Sequence, residues 1–268
     1  MPNEILVPLD GSRLADEAVA HAAEIARRID GSLRLVRVLT PLSAFIPSSD
    51  SAISIPDPVI DEQIRSDTER WLEERARAVG ALNDVPVSWE VRVGSPEVQL
   101  VLASQERRTR LVVCTTRGAG GTAMRLLGSV TDNVVRHANR PMLVMTPLAV
   151  KRDVHLKSVL ILTDGSEASG AVAPHAEWLA AAFGARVDCM QLIHPPEKPS
   201  AAIRRYIKVT NPDVVALSTH GRGLTRLYTG SVADELMRTV DRPLLVFRPT
   251  EASWRNAAAP AANSSSAT

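Results

Sequence analysis

The chain has 268 residues, 45% of them hydrophobic and 23% charged, the make-up of a soluble globular protein with room for one large or two ordinary domains. Its 31 Lys and Arg almost cancel its 30 Asp and Glu, which disfavours a nucleic-acid or anionic-membrane partner. No basic, apolar leader opens the sequence, no run approaches the roughly 18 apolar residues of a membrane helix, and Cys114 and Cys189 form no paired framework, so a cytoplasmic protein is expected.

In chain order, short apolar runs at about 4–9, 33–39, 87–92, 111–116 and 142–146 read as strands, with helical patterns between them. That alternation predicts an α/β fold with an open parallel sheet. The helix after the first strand carries Leu14, Ala18, Ala22, Ile25, Ala26 and Ile29 on one stripe, and that stripe should pack on the sheet. Residues 41–58 are rich in Pro, Ser and Asp and read as a long loop, a lid or partner surface or plain loop variation. A charged helix at about 59–80 follows, with Ile60, Ile64, Trp71 and Leu72 as its apolar positions. The run Arg107-Arg108-Thr109-Arg110 reads as a solvated helix end.

The pattern then repeats. ILVPLDGS at 5–12 recurs as VLILTDGS at 159–166, setting Asp10 on Asp164, and the next helix sets His21 on His175. LVVCTTRG at 111–118 matches VVALSTHG at 214–221, and RPMLVM at 140–145 matches RPLLVF at 242–247. The second copy lacks about fifty residues from its middle, the counterparts of the long loop, the long helix and the third strand, and should have four strands. The expected organisation is a complete domain at 1–149, a truncated one at 155–250 and a disordered tail at 251–268.

An open parallel sheet binds ligands beyond the C-terminal ends of its strands, where strand order reverses. After the first strand comes Pro8-Leu9-Asp10-Gly11-Ser12. The Asp10 carboxylate could accept from ribose hydroxyls, hold a phosphate-bound metal, or only cap the first helix. After the fourth strand, TTRGAGGTAMRLLGSV is a glycine-rich loop leading into a helix that begins near Ser129, whose hydroxyl could reach a phosphate or serve as the N-cap. No GxSxG, HExxH or GxxxxGK[ST] arrangement is present, the histidines are scattered, and no general base is evident, so a non-catalytic protein is expected. Cys114 reads as a buried strand cysteine.

ILVPLDGS, RLVRVL and Thr115-x2-Gly118-x9-Gly128-Ser129, followed by a helix and RPMLVM, together resemble the universal stress protein family. The resemblance implies a sheet ordered 3-2-1-4-5 of the adenine-nucleotide alpha hydrolase-like kind, pairing through the fifth strands, and ATP, with or without Mg, as ligand. By position, Pro8, Leu9 and Asp10 would meet adenine and ribose, and Val38 would touch adenine through its backbone. Gly118, Gly128, Ser129 and Val130 would hold the phosphates. Thr115 stands where the family pattern has its first glycine, and Arg117 where it usually has histidine. In the second copy Ser218 takes the first glycine position, and Gly221 precedes Gly230 by eight intervening residues rather than nine. The expectation is an adenine-nucleotide-binding regulator with its site in the first copy. A scaffold of the same fold is the alternative, and a slow ATP hydrolase a weaker one. The two copies should pair within the chain, with a homodimer as a further option. The open second strand of the shortened copy, near Met190 and Leu192, should be covered by the linker or another chain.

Overall fold

In a computed structural model of the chain, residues 3–41, 58–116, 128–152, 155–192, 198–219 and 231–249 are described below. The expectations for the 41–58 loop, apart from Pro41 and the backbone of Pro58, and for the 251–268 tail lie outside them. Five strands come from the first half: β1 (Glu4–Pro8), β2 (Ser32–Leu39), β3 (Val87–Val93), β4 (Thr109–Thr115) and β5 (Met142–Met145). Four come from the second: β6 (Ser158–Thr163), β7 (Arg186–Gln191), β8 (Val214–Ser218) and β9 (Leu244–Phe247). They make one nine-stranded sheet ordered β3-β2-β1-β4-β5-β9-β8-β6-β7. Every neighbouring pair is parallel except β5 and β9, which run antiparallel with Leu143 opposite Leu245. The first half therefore has the order 3-2-1-4-5, and the second has the same order without its third strand. The fifth strands pair within the chain, as the resemblance implies.

Because β5 and β9 are antiparallel, the two halves point their strand ends in opposite directions. The C-terminal ends of β1, β2 and β4 open on one edge of the sheet. Those of β6, β7 and β8 open on the other.

Helices cover both faces. On one lie α1 (Arg13–Arg28), α2 (Pro58–Asn83), the short α5 (Glu167–Gly170) and α6 (Ala173–Phe183); on the other lie α3 (Pro96–Gln105), α4 (Ser129–His137), α7 (Pro199–Thr210) and α8 (Ser231–Thr239). The α1 stripe packs as expected, with Ala18, Ala22, Ile25 and Ala26 buried, while Ile29 falls at the helix C-cap. The chain then turns so closely under β1 that a side chain at Gly31 would sit 2.2 Å from the Asn3 carbonyl oxygen. Only glycine fits there. Both cores run through the β5–β9 junction. Leu143 and Met145 join Leu245 and Phe247 on the α1 face, and Val144 joins Leu244 and Val246 on the other.

The long helix departs from its expected amphipathicity. Leu72 and Ala76 are buried and Trp71 partly so, but Ile60 and Ile64 near its start are exposed, because only the C-terminal part of α2 lies on the sheet. Arg110 is no solvated helix end either. It belongs to β4 and stacks over Trp178 of α6 at 4.5 Å, tying the halves together. At the same junction His21 bonds through Nε2 to the Val150 carbonyl oxygen at 3.0 Å, and His175 packs on Phe247 with ring centroids 4.3 Å apart.

The first half also has an ionic centre with no counterpart among the described residues of the second. Arg34 of β2 is 1% exposed, and its Nη1 donates to Glu90 and Glu106 at 3.0 and 2.9 Å. Its Nη2 donates to the Ala103 carbonyl and Thr109 Oγ1, and Nε lies 2.8 Å from Glu4 Oε1. An arginine can be buried here because three carboxylates surround its charge and both Nη atoms find acceptors.

Candidate functional site

The edge formed by the ends of β1, β2 and β4 collects most of the residues singled out in the sequence. Pro8 closes β1, and the Leu9 amide continues the pairing by donating to the Val36 carbonyl at 2.8 Å. Asp10 follows, and its Oδ1 accepts from the Ser12 amide at 2.9 Å. The helix cap is Ser12, whose hydroxyl oxygen accepts from the Ala15 amide at 3.2 Å. Asp10 is thus the turn-former rather than the cap. Gly11 takes φ +81, and a side chain there would lie 2.9 Å from Arg37 Nη1.

Val38, near the end of β2, is partly buried and packs toward the α3 and α4 face. Strand alternation sends its neighbour Arg37 to the opposite face. There the Arg37 guanidinium lies beside the Gly11 turn and over the Trp71 ring at 5.6 Å. The sequence reading missed this residue. The available signal was a second cation near the C-terminal end of β2, the end at which an open sheet places its site.

Thr115 ends β4 and is buried, and Thr116 after it donates its amide to the Met145 carbonyl at 2.9 Å. Arg117 and Gly118 lie outside the described residues. The chain re-enters at Gly128, whose amide donates to the Thr116 carbonyl at 2.7 Å, and Thr131 donates its hydroxyl to the Thr115 carbonyl at 2.9 Å. These bonds fix the start of α4 against the end of β4. Gly128, not Ser129, is the N-cap, so no cap side chain blocks the first amides. Ser129 is the first helical residue and exposed, and Val130 is partly buried. A helix N-terminus so placed offers N–H groups and the positive end of its dipole to an anion.

The matching positions of the second half are built differently. Asp164 Oδ1 accepts from both the amide and the hydroxyl of Ser166, at 2.9 and 2.6 Å. Burial opposes its charge, but hydrogen bonds from Ser166 and Ser169 outweigh that and hold the carboxyl below its ordinary range. Gln191 takes the place of Arg37, 2.6 Å from where a side chain on Gly165 would begin, and Leu192 takes that of Val38. The helix continuous in the first half is broken here between α5 and α6. The Ser218 hydroxyl fills the break, accepting from the Val172 amide at 3.1 Å and donating to the Ser169 carbonyl at 3.0 Å. Thus the side chain at the glycine position serves as a structural bridge.

Among the described residues no group of three or more His, Cys, Asp or Glu side chains is arranged to hold a metal. Burial pushes the Cys114 thiol up to about 12, so it remains protonated near neutral pH. Cys189 is exposed on β7. Near it, Leu192 is buried and Met190 partly buried by the chain's own helical layer, so neither the linker nor another chain is needed to cover them. Among the described residues no helix is long and apolar enough to cross a membrane.

Fold and edge together define an open α/β sheet protein whose candidate site residues gather at the strand-order reversal. The Universal stress protein family model matches residues 1–146 and 197–248, and the chain belongs to that family. It is 25% identical over 290 aligned positions to a universal stress protein of Mycolicibacterium smegmatis, covering 91% of this chain and 97% of that one. It is also 30% identical over 154 positions to a putative universal stress protein of Staphylococcus haemolyticus, covering 56% and 87%. A universal stress protein crystal structure from Archaeoglobus fulgidus superposes with a TM-score of 0.72 at 17% identity, over 92% of this chain and 99% of that one, a likeness of fold.

Proposed function

We propose that the first half binds an adenine nucleotide, ATP with or without Mg, and that the protein is a non-catalytic cytoplasmic regulator of the stress response. The observation that carries this reading is the meeting, at one sheet edge, of the Asp10 turn, Val38 and the N-terminus of α4 with only a glycine at its cap. A carboxylate suits ribose hydroxyls, and the amides of Ser129 and Val130 in the first turn of α4 suit phosphate oxygens. Arg117 and Gly118 complete the loop in sequence. The second half does not bind nucleotide in this reading, since its Asp164 is engaged by Ser166 and its Ser218 by the helix break.

One observation favours a scaffold that has lost its ligand. Thr115 puts a branched side chain at the family's first glycine, next to the site. The two readings part on one experiment. Protein purified under native conditions is denatured and the supernatant analysed by mass spectrometry; bound adenine nucleotide supports the first reading. If none is released and none can be loaded with magnesium present, the scaffold reading replaces it.

A further inference from the structure

We propose that the open edge of β7 is a dimerisation surface, on which β7 of a second copy of this chain pairs antiparallel about a two-fold axis through Val187. In the first half the matching strand, β2, is covered by β3; the shortened half has no counterpart among the described residues, where β7 ends the sheet. A free edge of this kind is a template for another strand.

The backbone shows which groups are on offer. Arg186 donates to the Lys157 carbonyl and Leu192 to the Thr163 carbonyl, so the even-numbered residues face β6. The amides and carbonyls of Val187, Cys189 and Gln191 therefore point outward. Val187 is 40% exposed, and Cys189 is exposed beside it on the face that a counterpart of α2 would have covered.

The side chains then select the occupant and the register. A two-fold axis normal to the sheet keeps each face with its like, so the axis must pass through a residue rather than between two. Centred on Asp188, the pairing sets two carboxylates against each other, and centred on Arg186 it sets two guanidiniums together. Both are repulsive. Centred on Cys189, it sets Asp188 opposite Met190 and leaves the charges unpaired. Centred on Val187, it places each Arg186 opposite Asp188 of the second copy, at the non-hydrogen-bonded sites where side chains come closest. Val187 then exchanges both backbone hydrogen bonds with its own copy, and the Cys189 amide meets the Ala185 carbonyl. Within one chain Arg186 and Asp188 already pair at 3.1 Å while remaining 66% and 40% exposed, so both are available to a four-charge network. The other sheet edge differs. On β3, Glu90 and Arg92 are drawn inward to Arg34 and Glu106.

The test is sedimentation equilibrium of the full chain with three variants. The wild type should dimerise. Val187→Pro removes an outward amide without touching the β6 ladder, and should give a folded monomer by circular dichroism. Arg186→Asp should weaken the dimer by at least about tenfold, and the double change Arg186→Asp with Asp188→Arg should restore it. The charge variants keep the test decisive if the proline variant fails to fold. A wild type that stays monomeric at every concentration overturns the proposal. So does a dimer indifferent to Val187→Pro, or a double variant no tighter than the single.

Discussion

The two halves begin alike, with a strand running into Asp-Gly-Ser, yet their sheet edges have diverged in opposite directions. In the first half α1 is continuous, Asp10 shapes the turn through one amide, and α4 opens with a bare glycine cap. In the second, a hydroxyl network of Thr163, Ser166, Ser169 and Ser218 surrounds the Asp164 turn, with Thr163 and Ser169 standing where the first half has Leu9 and Ala15, and the helix is broken. At the far ends of the strands the first half buries an arginine among glutamates, while the second places Ser158 and Asp188 at the corresponding positions. A repeat can thus keep its strands and still exchange its polar roles, because the sheet depends on apolar alternation while a site depends on a few polar side chains.

The largest effect should come from the ionic centre of the first half. Arg34→Met leaves Glu4, Glu90 and Glu106 without their buried partner and should cost about 3–5 kcal/mol, seen as a fall in the urea midpoint. A neutral outcome would mean that these carboxylates reach water, and that the two halves are stabilised alike.

Next comes His175 at the junction. Burial, with Arg110 and Arg140 nearby, pushes it down to about 4 from the ordinary 6.5. The unfolded chain then binds the proton first, so stability falls as pH drops from about 6.5 toward about 4, by at most roughly 3 kcal/mol. His175→Gln should flatten urea-denaturation midpoints across that window. His21 is also lowered by burial, but its bond to the Val150 carbonyl opposes the shift, so its replacement should flatten them less.

The smallest of the three concerns the helix break. Ser218→Ala deprives the Val172 amide and the Ser169 carbonyl of their partner and should destabilise by about 1–3 kcal/mol. A nucleotide site gained by that variant would show that Ser218 alone closes the second half.

Much of this was legible in the sequence. The strands of both halves and the missing third strand follow from apolar runs and an internal repeat, signals carried by neighbouring residues, while the pairing of the fifth strands was implied by the family resemblance. What escaped depends on partners distant in the chain. The break between α5 and α6 is filled from Ser218, 49 residues beyond Ser169. Arg34 reads as one polar letter in a strand until Glu4, Glu90 and Glu106 converge on it. Ser129 reads in the sequence as a phosphate contact or as the N-cap, because a hydroxyl suits both roles; the backbone gives the cap to Gly128. Arg37 went unnoticed because the Gly11 turn and Trp71, which hold it at the site, are far from it in sequence.

The most direct test of the central claim is calorimetric titration of ATP, with magnesium, into the wild type and into Asp10→Ala and Asp164→Ala. One site per chain is expected, weakened on the order of ten- to hundredfold by Asp10→Ala and unchanged by Asp164→Ala. Binding that survives Asp10→Ala but is lost with Asp164→Ala would place the site in the second half and contradict it.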